Sequence, residues 1–420
     1  MATATSAPGS SATPVRHTLS LWHQSPTLPL LETLPSSANV LIFIPGLTDT
    51  LGTVPYLDEL ATNIAELDFS LVQPQLSSSL GGFGLSSLEA DAQELELVIK
   101  FLQEQRKSRD GQGTPSGLGK VVLMGHSTGC QDIAHFFALA DRRRSQAVHG
   151  AVLQAPVSDR EDFEWGAQTD AGRKSRLEEA TRLVEQGKGA TLLSRDILPP
   201  QPLAKENEAG NRTPEVNGQA FEEPAMTAYR YWSLNAKGGH DDYFSSDLPD
   251  DRVRAIWANI VGSPSEGPKR RVLALLGEKD EFYPPSVTPQ ALAQKWNAIA
   301  GNEGEFNALV VQGANHKVDE PAAKSNLVRA VVDLLRHVAA DTAEQGGGNF
   351  VAAESHSDAS SAAPTAVASG PAPSFDEIVE LISTGQADSI PGIRSIPLKI
   401  NEASPSQATM QRPPKPWESK

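Results

Sequence analysis

Ser127 lies between two glycines where an apolar run gives way to an amphipathic one. Val121-Val122-Leu123-Met124 ends at Gly125, and His126, Ser127, Thr128 and Gly129 follow. Ile133, Ala134, Phe136, Phe137 and Leu139 then recur at helical spacing. This predicts a strand, a tight turn and a helix, with a serine hydroxyl at the apex of the turn. Such a serine can attack an acyl carbon. The amide of Thr128, at the helix start, can face the developing oxyanion. A serine nucleophile needs a base, and the base needs an anion to hold its tautomer. Downstream, Val272-Leu273-Ala274-Leu275-Leu276 leads into Gly277-Glu278-Lys279-Asp280, and Leu309-Val310-Val311 into Gln312-Gly313-Ala314-Asn315-His316. Asp280, just past one buried strand, is the candidate acid, with Glu278 and Glu281 as neighbours. His316, on the loop after the next strand, is the candidate base. Of the nine histidines, only His316 and His337 follow Asp280 in the folded region. His337 ends an apolar helix and reads as structural, and His126 is expected to pack beneath the turn. The loop Pro45-Gly46-Leu47-Thr48-Asp49 follows another buried strand. Gly46 permits close backbone approach, so the Leu47 amide is the second candidate oxyanion donor, with Thr48 able to add its own.

The elements that must hold these residues alternate. Strands are expected in residues 17–34 (one or two, at the sheet edge), at Val40–Ile44, Ser70–Pro74, the serine strand, Gly150–Pro156, Arg271–Leu276 and Ala308–Val311. Helices are expected at Leu57–Leu67, Ser87–Gln105, after Ser127, and at Asn326–His337. Alternation of this kind implies an α/β fold, a mostly parallel sheet with helices on both faces. Residues 157–268 interrupt it. They hold a helical stretch (Arg173–Gln186), a polar Pro-rich loop (Pro199–Pro214) and the aromatic run Tyr229-Arg230-Tyr231-Trp232. The expectation is a lid over the carboxyl ends of the strands, with Tyr229, Tyr231 or Trp232 shaping an apolar pocket. Residues 1–15 read as a disordered leader, 16–338 as the catalytic domain, 339–373 as a flexible linker rich in Ala, Ser, Gly and Pro, and 374–420 as a motif-bearing tail.

Composition bounds the function. The 420 residues carry a net charge of -16, which disfavours nucleic acid and anionic membrane surfaces as partners. Cys130 is the single cysteine, so no intrachain disulfide or cysteine zinc cluster can form. The N-terminus lacks a secretory pattern, and no run reaches the roughly 18 apolar residues of a bilayer span. The sequon Asn211-Arg212-Thr213 would then be idle, and a cytoplasmic, reducing location is expected. His240-Asp241-Asp242 is a compact His/carboxylate group without paired ligands at helical spacing, and no loop matches a phosphate cradle. No metal and no cofactor are expected.

Three segments together resemble a fungal and plant family of α/β-hydrolases of formerly unknown function. They are Gly125–Asp132, Ala155-Pro156-Val157-Ser158-Asp159-Arg160-Glu161 and Asp241-Asp242-Tyr243-Phe244-Ser245-Ser246-Asp247-Leu248. The resemblance spans roughly residues 15 to 340. The order serine, acid, histidine is that of the α/β-hydrolase fold. The family includes an intracellular esterase of fusarinine-type hydroxamate siderophores. The resemblance therefore implies a serine esterase with a small-molecule ester substrate, siderophore esters first among them.

The C-terminus resembles a different family. Phe375, Ile378, Leu381 and Ile382, then Ile390-Pro391-Gly392-Ile393, and finally Lys415-Pro416-Trp417-Glu418 are similar to the short motifs of peroxisomal import factors. Trp417 would anchor in a partner pocket, and the implied partner is the import receptor for N-terminal signals, with association at the peroxisome. Two further readings remain open beside the siderophore esterase: an import-related adaptor that uses the hydrolase domain as a scaffold, and an esterase or lipase for another bulky ester.

Overall fold

The computed structural model describes residues 15–109, 117–139, 147–169, 171–194, 215–216, 219–220, 225–262, 270–301 and 305–341. Residues 1–14 of the leader, the whole of the Pro-rich loop, the linker beyond 341 and the tail motifs lie outside the described residues. Within them, strands β1 (Thr18–Gln24), β2 (Thr27–Glu32), β3 (Asn39–Ile44), β4 (Phe69–Pro74), β5 (Val121–His126), β6 (Gly150–Gln154), β9 (Arg271–Gly277) and β10 (Phe306–Val311) form one sheet in the order β1-β2-β4-β3-β5-β6-β9-β10. The first two pairings are antiparallel, and every pairing from β4 to β10 is parallel. Strands β7 (Glu215–Val216) and β8 (Gln219–Ala220) make a separate two-stranded ribbon.

The central strands β3 and β5 are apolar almost throughout and buried on both faces, as parallel strands flanked by helices must be. One face carries α2 (Leu88–Arg109), α3 (Thr128–Leu139), α7 (Asp250–Val261) and α8 (Pro289–Ala300). There Phe244, Trp257, Trp296 and Phe306 stack, the last pair of rings of this group, Trp257 and Phe306, 4.5 Å apart. The other face carries α1 (Leu57–Ala65) and α9 (Pro321–Ala340), whose Leu60, Ile64, Leu327, Val331 and Leu335 bury against Leu41, Phe43 and Leu71. Helix α9 starts at Pro321 rather than Asn326. Glu320 caps Ala322 and proline occupies the first turn, where its missing N–H costs nothing.

The outermost parallel strand is tied to a helix by a side chain. The Asn297 amide, from α8, donates to the Ala308 carbonyl and accepts from the Ala308 N–H, both at 2.8 Å.

Of the interrupting segment, α4 (Asp159–Gly166), α5 (Ala171–Glu185) and α6 (Ala228–Asn235) form a helical cap. Its small core includes Phe163, Ala180, Leu183 and Tyr231. From Tyr243 the chain returns to the main core, and α7 packs there through Ile256, Trp257 and Ile260. Residues 157–268 thus hold both the cap helices and α7, which lies on the main core. No helix among the described residues is long and apolar enough to cross a membrane.

Candidate active site

Strand β5 delivers Ser127 and α3 begins one residue later. Ser127 has φ +54°, a left-handed backbone that side chains seldom adopt. Its N–H donates to the Gln154 carbonyl at 3.0 Å, and its carbonyl accepts from Cys130 N–H at 2.8 Å. The glycines around it answer to crowding. A Cβ on Gly125 would overlap the Gly129 backbone, one on Gly129 the Ile44 carbonyl, and one on Gly46 would come within 2.9 Å of the Ser127 Cβ. The loop Pro45-Gly46-Leu47 thus lies directly against the serine, and strand β3, the turn and α3 interlock so tightly that only glycine fits at three positions.

His316 and Asp280 meet as a buried pair. The His316 Nδ1 lies 3.0 and 2.9 Å from the two Asp280 oxygens. The neighbouring carboxylates take other work. Glu281 accepts from the His316 backbone N–H at 3.0 Å, Glu278 from the Gly313 N–H at 2.8 Å, and Asp319 from the Asn315 amide at 2.8 Å. They brace the loop, whereas Asp280 holds the ring. The ring sits between His126, at 4.9 Å between centroids, and Phe282, at 4.4 Å. His126 immediately precedes Ser127, so the histidine loop lies beside the serine turn.

Gln154, at the end of β6, gathers these parts and was not singled out in the sequence. Its Oε1 accepts from the Tyr56 hydroxyl at 2.9 Å and faces His126 Nδ1 at 2.6 Å, while its Nε2 donates to the His316 carbonyl at 3.1 Å. A lone amide closing a buried apolar strand, level with His126 in the neighbouring strand, was the available signal. Burial and the nearby His316 push the His126 pKa down to about 3, so His126 is neutral and structural. Asp49, on the loop after β3, pairs with Lys317 at 3.0 Å, which links that loop to the one that carries His316. Cys130 is buried, its thiol pushed up by burial and turned to the Gly125 and Gln154 carbonyls, so it is a packing residue rather than a nucleophile.

The aromatic run divides because consecutive helical residues face different ways. Tyr231 is buried against Phe163 in the cap core. Tyr229 and Trp232 share a face and pack on His240, with the Tyr229 hydroxyl 2.8 Å from the His240 Nδ1. Arg230 is the member that reaches the loop after β3. Together with Asp91, Asp132 and Phe83 it lines a narrow cleft against Pro45, Gly46, Leu47 and Thr128.

The two remaining segments behind the family resemblance come together in the cap. Arg160 donates to Asp242 at 2.9 Å and pairs with Asp247, Ser158 and Ser245 share a hydroxyl contact of 2.6 Å, and Glu161 accepts from the Ser246 N–H at 3.1 Å. Arg230 pairs with Asp241 at 2.6 Å. Burying charge is tolerable only when it is paired, so each segment requires the other.

Burial raises the Asp91 pKa to about 6, against hydrogen bonds and the Arg230 charge that pull it down. The neutral form is thus favoured in the fold. The stability it contributes is complete below the unfolded value near 3.8 and is lost as pH rises through 6. Asp91→Asn mimics the neutral acid. Its melting temperature relative to the parent should rise between pH 4 and pH 7, by the equivalent of roughly 3 kcal/mol at most. Thermal melts of both proteins across that range check this, and a constant difference would contradict it.

The comparisons with known proteins follow this geometry. Residues 17–336 match the family described as protein of unknown function DUF1749. The chain belongs to this family. Among similar proteins, an esterase of Emericella nidulans is 29% identical over 345 residues, 72% of this chain and 87% of the relative. The fusarinine C esterase of Aspergillus fumigatus is 27% identical over 351 residues, 75% of this chain and 94% of the relative. Among solved structures, the siderophore hydrolase EstB of Aspergillus fumigatus superposes with a TM-score of 0.60 at 23% identity, spanning 78% of this chain and 99% of the other. At that identity the likeness is one of fold, and the fold is that of the α/β-hydrolases. Residues 371–419 match a second family, described as a PEX14-like KPWE domain.

Proposed function

We propose that this DUF1749 protein is an intracellular serine esterase that opens ester-linked hydroxamate siderophores of the fusarinine type through Ser127, His316 and Asp280. Homologues named esterases and the α/β-hydrolase fold make the chain a carboxylic ester hydrolase. The observation that supports the triad is the buried Asp280–His316 pair beside a left-handed serine turn. In this mechanism His316 takes the Ser127 hydroxyl proton through its Nε2 as the oxygen attacks the ester carbonyl. The Leu47 and Thr128 amides receive the oxyanion. The C–O bond to the alcohol breaks, and His316 returns the proton to that alcohol. Water then attacks the acyl-serine by the same route, releasing the acid and free Ser127. Asp280 holds the imidazole with Nδ1 protonated and stabilises the imidazolium. The relative named fusarinine C esterase supports the siderophore substrate.

The KPWE match supports a second role for the tail, in which Lys415, Pro416, Trp417 and Glu418 bind a peroxisomal import receptor and place the enzyme at the peroxisome. One experiment addresses both readings. Full-length protein and a form lacking residues 374–420 are assayed against fusarinine esters, long-chain lipid esters and short acyl esters, then used in a receptor pull-down. Siderophore esters should give the highest kcat/KM. Deletion should leave kcat/KM within about twofold, since no triad residue lies in the tail, and should abolish receptor capture, as should Trp417→Ala. Preference for lipid esters would overturn the substrate. Loss of turnover on deletion, or no capture by full-length protein, would overturn the tail's role.

A further inference from the structure

Three residues that line the cleft behind the oxyanion loop each hold a buried polar atom with no partner among the described residues: Thr128 Oγ1, Asp132 Oδ1 and Arg230 Nε. Their residues are 5%, 4% and 1% exposed. Leaving one such atom unsatisfied costs about 1–3 kcal/mol, so three on one cleft require an occupant. The three differ in kind. The guanidinium Nε donates, a carboxylate oxygen accepts, and a hydroxyl does either. Only an occupant that both donates and accepts can satisfy all three. The cleft offers about 20 Å³, room for a single water-sized group. Its other walls include Pro45, Gly46, Leu47, Phe83 and Asp91.

The position gives this occupant a consequence. Thr128 begins α3 and carries a candidate oxyanion amide, Asp132 lies one turn further along the same helix, and Arg230 comes from cap helix α6. Arg230 is itself fixed by Asp241 at 2.6 Å. We propose that one buried water bridges Arg230, Asp132 and Thr128, and that Arg230 is thereby a positioning residue through which the cap fixes the oxyanion turn. This rests on the serine esterase reading. Titratable neighbours complete the setting. Asp91 packs at the same cleft and accepts from the Ser86 hydroxyl at 3.2 Å, while burial and the charge of Asp91 raise the Asp132 pKa. A neutral Asp132 keeps an accepting oxygen, so the bridge survives either protonation state.

The test has a structural and a kinetic arm. A high-resolution crystal structure of the full-length protein should show one water within hydrogen-bond distance of all three atoms, and a dry cleft would overturn the proposal. Thr128→Val keeps the backbone amide and the side-chain shape but removes the hydroxyl. With p-nitrophenyl acetate, a substrate too small to depend on the cap, its kcat per fluorophosphonate-titrated site should fall about tenfold, since misplacing a donor by an ångström costs up to about 10²-fold. KM should stay within twofold, and Thr128→Ser should restore kcat. A merely structural role would lower the number of titratable sites and leave kcat per site intact, and that result would overturn the positioning role. If the parent protein neither cleaves esters nor reacts with fluorophosphonate, the esterase reading fails and the positioning role falls with it. A protein that cleaves and labels but shows no Thr128→Val effect loses only the present inference.

Discussion

Ser127→Ala should abolish labelling by a fluorophosphonate and lower ester turnover by at least about 10⁴-fold, leaving a remnant that the oxyanion amides and binding alone can sustain. The fold should survive. Ser127 is half-buried, its backbone bonds to Gln154 and Cys130 do not involve the hydroxyl, and alanine at φ +54° is strained no more than serine. A circular dichroism melt and a labelling gel separate loss of chemistry from loss of structure. Turnover within tenfold of the parent would mean that another group attacks the ester. Cys130 is no alternative, since its buried thiol is spent on backbone carbonyls.

The second large effect is expected at the pair behind the serine. Asp280→Asn keeps the shape but replaces the acceptor that holds Nδ1–H. The imidazole then settles with the wrong nitrogen protonated, and kcat should fall by about 10⁴-fold. His316→Ala should cost at least as much. Glu278→Gln and Glu281→Gln are the discriminating controls. These carboxylates accept from backbone N–H groups of Gly313 and His316, and an amide oxygen can do the same, so each should cost about tenfold or less. Steady-state rates per titrated serine give the comparison. If Glu281→Gln proved as damaging as Asp280→Asn, the acid would have been misassigned.

The legible parts of this molecule are those fixed by local rules. The serine turn could be read because three glycines are required by backbone crowding at Gly46, Gly125 and Gly129. The strands could be read because parallel strands buried on both faces are continuous apolar runs. Asp280 and His316 could be read because each follows such a run. What stayed hidden depends on long-range pairing. Arg160 and Arg230 look like ordinary surface cations in sequence, and only the fold brings Asp241 and Asp242 to them. Gln154 joins Tyr56, His126 and His316 across gaps of 98, 28 and 162 residues. Spacing alone did not reveal that Arg230, from the run Tyr229-Arg230-Tyr231-Trp232, lines the cleft beside Pro45, Gly46 and Leu47. No periodicity rule orients a two-turn helix whose partners are other loops.

The Asn297 clasp on β10 bears on how the protein behaves in company. A sheet that ends in a parallel strand with open amides invites a foreign strand to add to it, and a chain with such an edge is prone to swap strands or polymerise. Here a side-chain amide stands where the next strand's peptide group would be, meeting both the N–H and the carbonyl of Ala308. An incoming strand must first displace Asn297 from α8 to pair at the middle of that edge. Asn297 thus blocks strand addition at Ala308, the middle of this border, without a charge, a proline or a bulge.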